Sequence, residues 1–111
     1  MSLILTVVFA VAKFVMGERT LEVSIGSDPT LSNGHRFRTV EIIRDKDGST
    51  VRREYGDGTD RFDGIVDGFQ KRVANRKTAG WTLKAKPSIM TEKEAVAAIV
   101  KAEKTTKPQA A

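Results

Sequence analysis

The sequence predicts an α+β fold: an antiparallel meander of about four strands plus a short fifth, packed by one amphipathic helix, with a loosely attached C-terminal helix. Three observations predict it. "RTLEVSI" alternates Leu21, Val23 and Ile25 with Thr20, Glu22 and Ser24, the period of a half-buried strand. "RFRTVEIIRDKDGSTVRREY" is two strand-like arms around an Asp47-Gly48 turn. Phe62, Ile65, Val66, Phe69 and Val73 then follow the 3.6-residue period of a helix. At 111 residues the chain is of single-domain size, with residues 1–104 as the domain and 105–111 as a polar tail.

The opening run "LILTVVFAVAKFVMG" admits three readings. As a helix, Leu3–Met16 would extend about 21 Å, short of a hydrocarbon core of about 30 Å. Lys13 also interrupts it. As a secretory signal it has an Ala10-Val11-Ala12 cleavage pattern, but only Met1 and Ser2 precede it and neither is basic. Its β-branched and aromatic residues favour a strand, which is the reading adopted for residues 3–16. Without clean alternation before Ala12, such a strand is expected to be covered on both faces.

Gly17-Glu18 offers a turn into the strand "RTLEVSI". The following "GSDPTLSNGH" is a loop of turn-forming residues. The hairpin spans about residues 36–55, with Val40 and Ile42 alternating against Thr39 and Glu41. Its exposed positions are rich in arginine: Arg36, Arg38, Arg44, Arg52 and Arg53. Thr59 or Asp60 is positioned to cap the amphipathic helix. Gly64 and Gly68 lie together on the side away from its apolar stripe, a side open to close approach by another subunit.

Ala79-Gly80 closes that helix, and "WTLKAK" is a short strand ending before Pro87. "TEKE" is a capping box of Thr91 and Glu94 opening a helix through about Glu103. Its narrow apolar stripe, Val96, Ile99 and Val100, fits a weak hold on its own domain or a contact with a partner.

Composition excludes more chemistry than it suggests. The absence of cysteine removes disulfides, thiolate metal sites and a cysteine nucleophile. His35, the single histidine, sits beside an Asn-Gly turn as a solvated loop residue. Asp45-Lys46-Asp47-Gly48 resembles the start of a calcium loop, but glycine falls fourth rather than sixth and Gly56 stands where the twelfth-position glutamate belongs. Asp57, Asp60, Asp63 and Asp67 form the one carboxylate cluster, and acidic residues there complement a helix dipole. No phosphate-binding loop, dinucleotide fingerprint or nucleophile elbow is present, so no catalytic residue, metal or cofactor is assigned.

The formal charge is +5, and the excess sits in residues 61–86, with seven basic groups against two acidic. That segment, with the hairpin, supplies a polyanion-binding candidate of Arg52, Arg53, Arg72, Arg76, Lys77, Lys84 and Lys86. Trp81 is a base-stacking candidate, though a lone tryptophan there is more often a core anchor. Adhesive ends, the Gly64/Gly68 side and the stripe of Val96, Ile99 and Val100 lead to a first expectation: a non-enzymatic assembly subunit of a larger complex. Such a subunit would contact neighbouring chains, identical or different, through its N- and C-terminal segments. A small virion or connector-type protein would fit. The alternatives are a basic nucleic-acid-binding module and a membrane-associated accessory subunit using residues 3–16. An intracellular setting, or one inside a large assembly, is favoured over secretion.

Overall fold

The computed structural model describes Leu5 and residues 7–27, 37–55, 59 and 61–106. The order is β1 (Val7–Met16), β2 (Arg19–Ser27), β3 (Phe37–Arg44), β4 (Thr50–Tyr55), α1 (Phe62–Thr78), β5 (Thr82–Leu83) and α2 (Glu92–Thr106). The strands form one antiparallel sheet in the order β4-β3-β2-β1-β5. This is the α+β meander expected, with the short fifth strand closing on β1.

β1 explains its own irregular pattern. Its register with β2 shifts between Val8 and Ala10, so Phe9 is an extra, bulged residue. Val7, Phe9, Ala10, Ala12 and Phe14 are buried, while Val8 and Lys13 are exposed and Val11 and Val15 half-buried. Beyond the bulge the period is two. The register aligns Ala12 with Val23, Phe14 with Leu21, and Leu21 with Ile43 on one face.

That face carries the core. Phe9, Phe14, Leu21, Val23 and Ile25 pack there with Ile65 and Phe69 of α1, Trp81, and Ala95 of α2. Phe9 sits 5.1 Å from Phe37 and 5.6 Å from Phe62, ring centre to ring centre, tying β1 to β3 and α1. Both helices therefore cover the same side. The double cover expected for the first strand is absent among the described residues, except where Leu5 caps Val40 and Ile42 on the other face.

The sheet also assigns the two faces of the hairpin. Thr39 and Glu41 face the helices, and Val40 and Ile42 face away. Both alternating sets are buried, because each meets cover on its own side.

Local signals set the connections. Asp45 N–H donates to the Ser49 carbonyl and Gly48 N–H to the Asp45 carbonyl, closing the β3–β4 turn at 2.9 Å each. The Asp47 carboxylate accepts from the Ser49 hydroxyl at 2.6 Å and its N–H at 2.9 Å, and these bonds, the hydroxyl first, hold its carboxyl below the usual range. The turn reading of this tetrapeptide holds.

The cap position of α1 falls to Arg61 rather than Thr59, without a side-chain cap, and Asp60 lies outside the described residues. Thr59 instead bridges Phe37 in an isolated pair and accepts the Arg61 N–H on its hydroxyl. At the other end, Trp81 N–H donates to the Arg76 carbonyl and Gly80 N–H to that of Lys77. Gly80, at φ 105°, makes this reversal possible. In α2, Thr91 and Glu94 exchange the two hydrogen bonds of a capping box, at 2.9 and 3.1 Å. α2 continues to Thr106, into the segment expected to be tail.

Gly26 lies opposite Val8 at the bulge. A Cβ there would run into the Val7 carbonyl oxygen and stand 3.1 Å from the Val8 Cα, both backbone atoms that cannot swing aside. Gly26→Ala should therefore lower the unfolding free energy by at least about 2 kcal/mol, read as a drop in the urea midpoint. An unchanged midpoint would show that the close strand approach is not required.

Candidate nucleic-acid interface

The structure divides the basic residues expected to act together. On the helix side, register places Glu41 between Val23 of β2 and Glu54 of β4, beneath α1. Glu41 is only 3% exposed. An ionised carboxylate is costly to bury unless charge and hydrogen bonds compensate it. Two arginines one turn apart on α1 do so. Arg76 grips it in a fork, Nε to Oε2 and Nη2 to Oε1 at 3.0 Å each, and Arg72 Nη1 donates to Oε1 at 2.9 Å.

These residues, with Arg52, Asn75 and Ala79, line an open cleft of about 350 Å³ between α1 and the β4 side of the sheet. Two guanidinium groups thus grip one buried carboxylate, and a third, that of Arg52, lines the same cleft. Two of them anchor α1 to β3, so Arg72 and Arg76 serve the fold before any ligand. Trp81 is buried in the core and is unavailable for base stacking.

The remaining predicted residues scatter. Lys77 is exposed near the end of α1, and Lys86 is exposed in the connection after β5. Arg53 stands on the face opposite the helices, in the cross-strand row Lys13–Glu22–Ile42–Arg53. Lys84 joins that face at its edge, where its N–H donates to the Lys13 carbonyl at 2.9 Å and both residues line one shallow pocket.

This face, which neither helix covers and which Leu5 covers only at Val40 and Ile42, is the more basic surface. By register it carries Lys13, Arg38, Arg44 and Arg53, with Lys84 at the rim, against Glu22 as its acidic group among the described residues. Aliphatic groups lie between the charges, with Val8 exposed and Val11 and Val15 half-buried. Arg19 and Asp45 pair at 3.9 Å, both about half exposed. Lys13 and Arg44 were not among the residues assigned to polyanion binding. The signal for Lys13 was its place in the Val11–Lys13–Val15 alternation, which the bulge hides from a reading that starts at Leu3.

The other candidates resolve more simply. Asp63 pairs with Arg61 at 3.3 Å, and that hydrogen bond and then the arginine's charge hold its carboxyl below the usual range. Asp67 pairs with Lys71 at 3.1 Å, one turn along α1. No group of His, Asp and Glu among the described residues is arranged to hold a metal ion. Arg36, Asp57, Asp60, the Asn33-Gly34 turn and His35 lie outside the described residues.

Among the described residues, a Cβ on Gly68 would meet nothing within 4 Å, and one on Gly64 only the side chains of Arg61 and Thr59. No described backbone outside α1 comes that close to either glycine. On α2, Ala95 is buried and Ala98, Ile99 and Ala102 pack on the core, whereas Val96 and Val100 point outward. The stripe of three expected on one face is split: Ile99 serves the fold and the two valines do not. No helix among the described residues is long and apolar enough to cross a membrane, and residues 7–16 are strand rather than helix.

No protein-family model matches the chain, and neither a curated protein nor a solved structure is significantly similar to it. The site must be read from its geometry alone.

Removing the charge of Glu41 while keeping its shape tests the clamp. Glu41→Gln should cost about 2–3 kcal/mol, because two partly buried guanidiniums lose their counter-charge together. Arg72→Gln should cost less, about 1 kcal/mol, since Arg76 keeps its fork and the Arg72 side chain is already 37% exposed. Urea denaturation of both variants measures the order, and equal costs would mean that the fork is not the stronger half.

Proposed function

We propose that this chain is a non-enzymatic, basic module that binds a polyanion through the face of its sheet opposite the helices, nucleic acid being the class its chemistry suits best. The observation that carries this reading is the charge partition. The helix-side arginines Arg72 and Arg76 are committed to Glu41. The opposite face exposes four cations, Lys13, Arg44, Arg53 and Lys84, with Arg38 half-buried, against Glu22 as its carboxylate among the described residues.

Such a surface attracts phosphodiester backbones without reading sequence, by displacing the counterions condensed on them. Valines between the cations add apolar area that sugar and base edges can cover. The absence of a catalytic or metal-binding constellation among the described residues is compatible with this reading but carries none of it.

Fluorescence anisotropy with labelled single- and double-stranded oligonucleotides tests the proposal. With about four phosphate contacts, affinity should fall roughly a hundredfold between 50 and 200 mM salt. Arg44→Gln and Arg53→Gln should each flatten the salt slope by about one unit, while Lys77→Gln and Lys86→Gln should leave it nearly unchanged. No detectable binding at 50 mM salt would sink the reading.

Val96 and Val100 favour a second reading, the assembly subunit. They stand one turn apart on the outward side of α2, 53% and 44% exposed. Two adjacent valines are a modest patch, and contact with another subunit would bury them. Light scattering behind a sizing column should then give a discrete multiple of 12.2 kDa that Val96→Lys/Val100→Lys reduces to the monomer. A wild-type monomer at millimolar concentration excludes self-assembly through this stripe.

A further inference from the structure

We infer that the pocket at the β1–β2 hairpin end of the uncovered face is a discrete oxyanion site that seats a single phosphate group. It is lined by Lys13, Thr20, Glu22, Ile42, Arg44 and Lys84, together with Phe14 and Leu21, and encloses about 170 Å³. The inference rests on the reading of this face as polyanion-binding and locates where on it one phosphate is held.

Three strands and a loop converge to build the site. Register puts Lys13 opposite Glu22 and Thr20 opposite Arg44, so the four side chains form two adjacent rows on one face. Lys84 arrives from the far side of β1, fixed by its backbone bond to the Lys13 carbonyl. Three cations, a hydroxyl and one carboxylate thus share a pocket with a formal charge of +2.

What distinguishes these cations from the helix-side arginines is how little they are engaged. Among the described residues Lys13, Lys84 and Glu22 belong to no ion pair. Arg44 has a single long bond, Nη1 to the Thr50 hydroxyl at 3.4 Å, on an exposed side chain. Glu41 neutralises arginines by gripping them, whereas Glu22 faces Lys13 across the ladder without closing on it. A phosphate between Lys13, Arg44 and Lys84 gains charge-assisted hydrogen bonds from ammonium and guanidinium donors and one from the Thr20 hydroxyl. Glu22 opposes it and weakens the site by like-charge repulsion.

The chemistry is that of a phosphate oxyanion, from either a phosphodiester backbone or a free phosphate. Titration of the isotopically labelled full chain with inorganic phosphate at constant ionic strength, followed by amide NMR shifts, tests it. Saturable shifts at Lys13, Thr20, Arg44 and Lys84 are expected. Lys13→Gln and Lys84→Gln should each weaken the saturation constant about tenfold, and Glu22→Gln should tighten it by several-fold. These side chains are exposed, and the dispersion of the remaining amide signals checks that each variant is folded.

A parallel titration with a dinucleoside monophosphate separates the sources. If the diester saturates the same residues, a nucleic-acid backbone is the source; if only inorganic phosphate does, the site takes free phosphate. Shifts that rise linearly without saturating, that chloride reproduces, or that ignore Glu22→Gln overturn the site. Oligonucleotide binding without phosphate saturation would remove this pocket and leave the polyanion module standing. Phosphate saturation without oligonucleotide binding would do the reverse.

Discussion

One extra residue in the first strand decides which side of the sheet is which. Phe9 is inserted between Val8 and Ala10 relative to β2, and the shift turns Ala12 and Phe14 toward the helices and Lys13 away from them. The same residue holds several elements at once. Its ring meets Phe37 of β3 and Phe62 of α1, and its carbonyl accepts the Met90 N–H just before α2. Gly26 opposite Val8 is the other half of the arrangement, since the strands approach too closely there for a Cβ. Without the bulge, a one-residue slip would put Lys13 in the core and Phe14 in water, which the buried area of Phe14 opposes strongly.

Once the faces are assigned, charge follows. The helix side is low in solvent, so Glu41 requires the guanidiniums of Arg72 and Arg76. Those arginines belong to the most basic stretch of the sequence, yet the fold directs them inward and their charge is spent on α1 docking. On the opposite face Lys13 and Lys84 belong to no ion pair among the described residues, and Arg44 makes one long bond, to the Thr50 hydroxyl.

The elements were legible wherever a local signal sufficed. The alternation in β2, the Asp47-Gly48 turn, the capping box of Thr91 and Glu94, and the glycine ending α1 each involve residues within a few positions of one another. Glu41 was not legible, because its partners lie 31 and 35 residues away and nothing nearby marks it as buried. The β3 alternation was visible, but which set faced the helices was not, since Thr39 and Glu41 look like solvent residues until α1 is placed over them. The candidate site suffered from the same limit. Arg72, Arg76, Lys84 and Lys86 are close in sequence, and the Schellman reversal at Gly80 followed by a short strand sends them to different surfaces. Lys13 lay hidden in an apolar run where it counted only as an interruption.

The outward side of the sheet combines lysine and arginine with valine, and that mixture is itself informative. A face meant only to stay soluble would alternate both signs of charge, which limits any net field. A face meant to join another protein core would concentrate its aliphatic residues and lose its cations. Here Val8, Val11 and Val15 run along β1 beside Lys13, while Arg44 and Arg53 come from the neighbouring hairpin. The cations then come from several strands, while the exposed and half-buried valines run along β1 and Val40 and Ile42 are buried beneath Leu5. A phosphate-bearing chain with apolar sugar and base edges matches both patterns, since its charges lie along an axis flanked by uncharged surface. The helix-side clamp and the sheet-side cations consequently play separate roles. Arg72 and Arg76 contribute through the stability of the α1–sheet contact, whereas in the proposed polyanion reading Lys13, Arg44, Arg53 and Lys84 would act through the potential they present to a ligand.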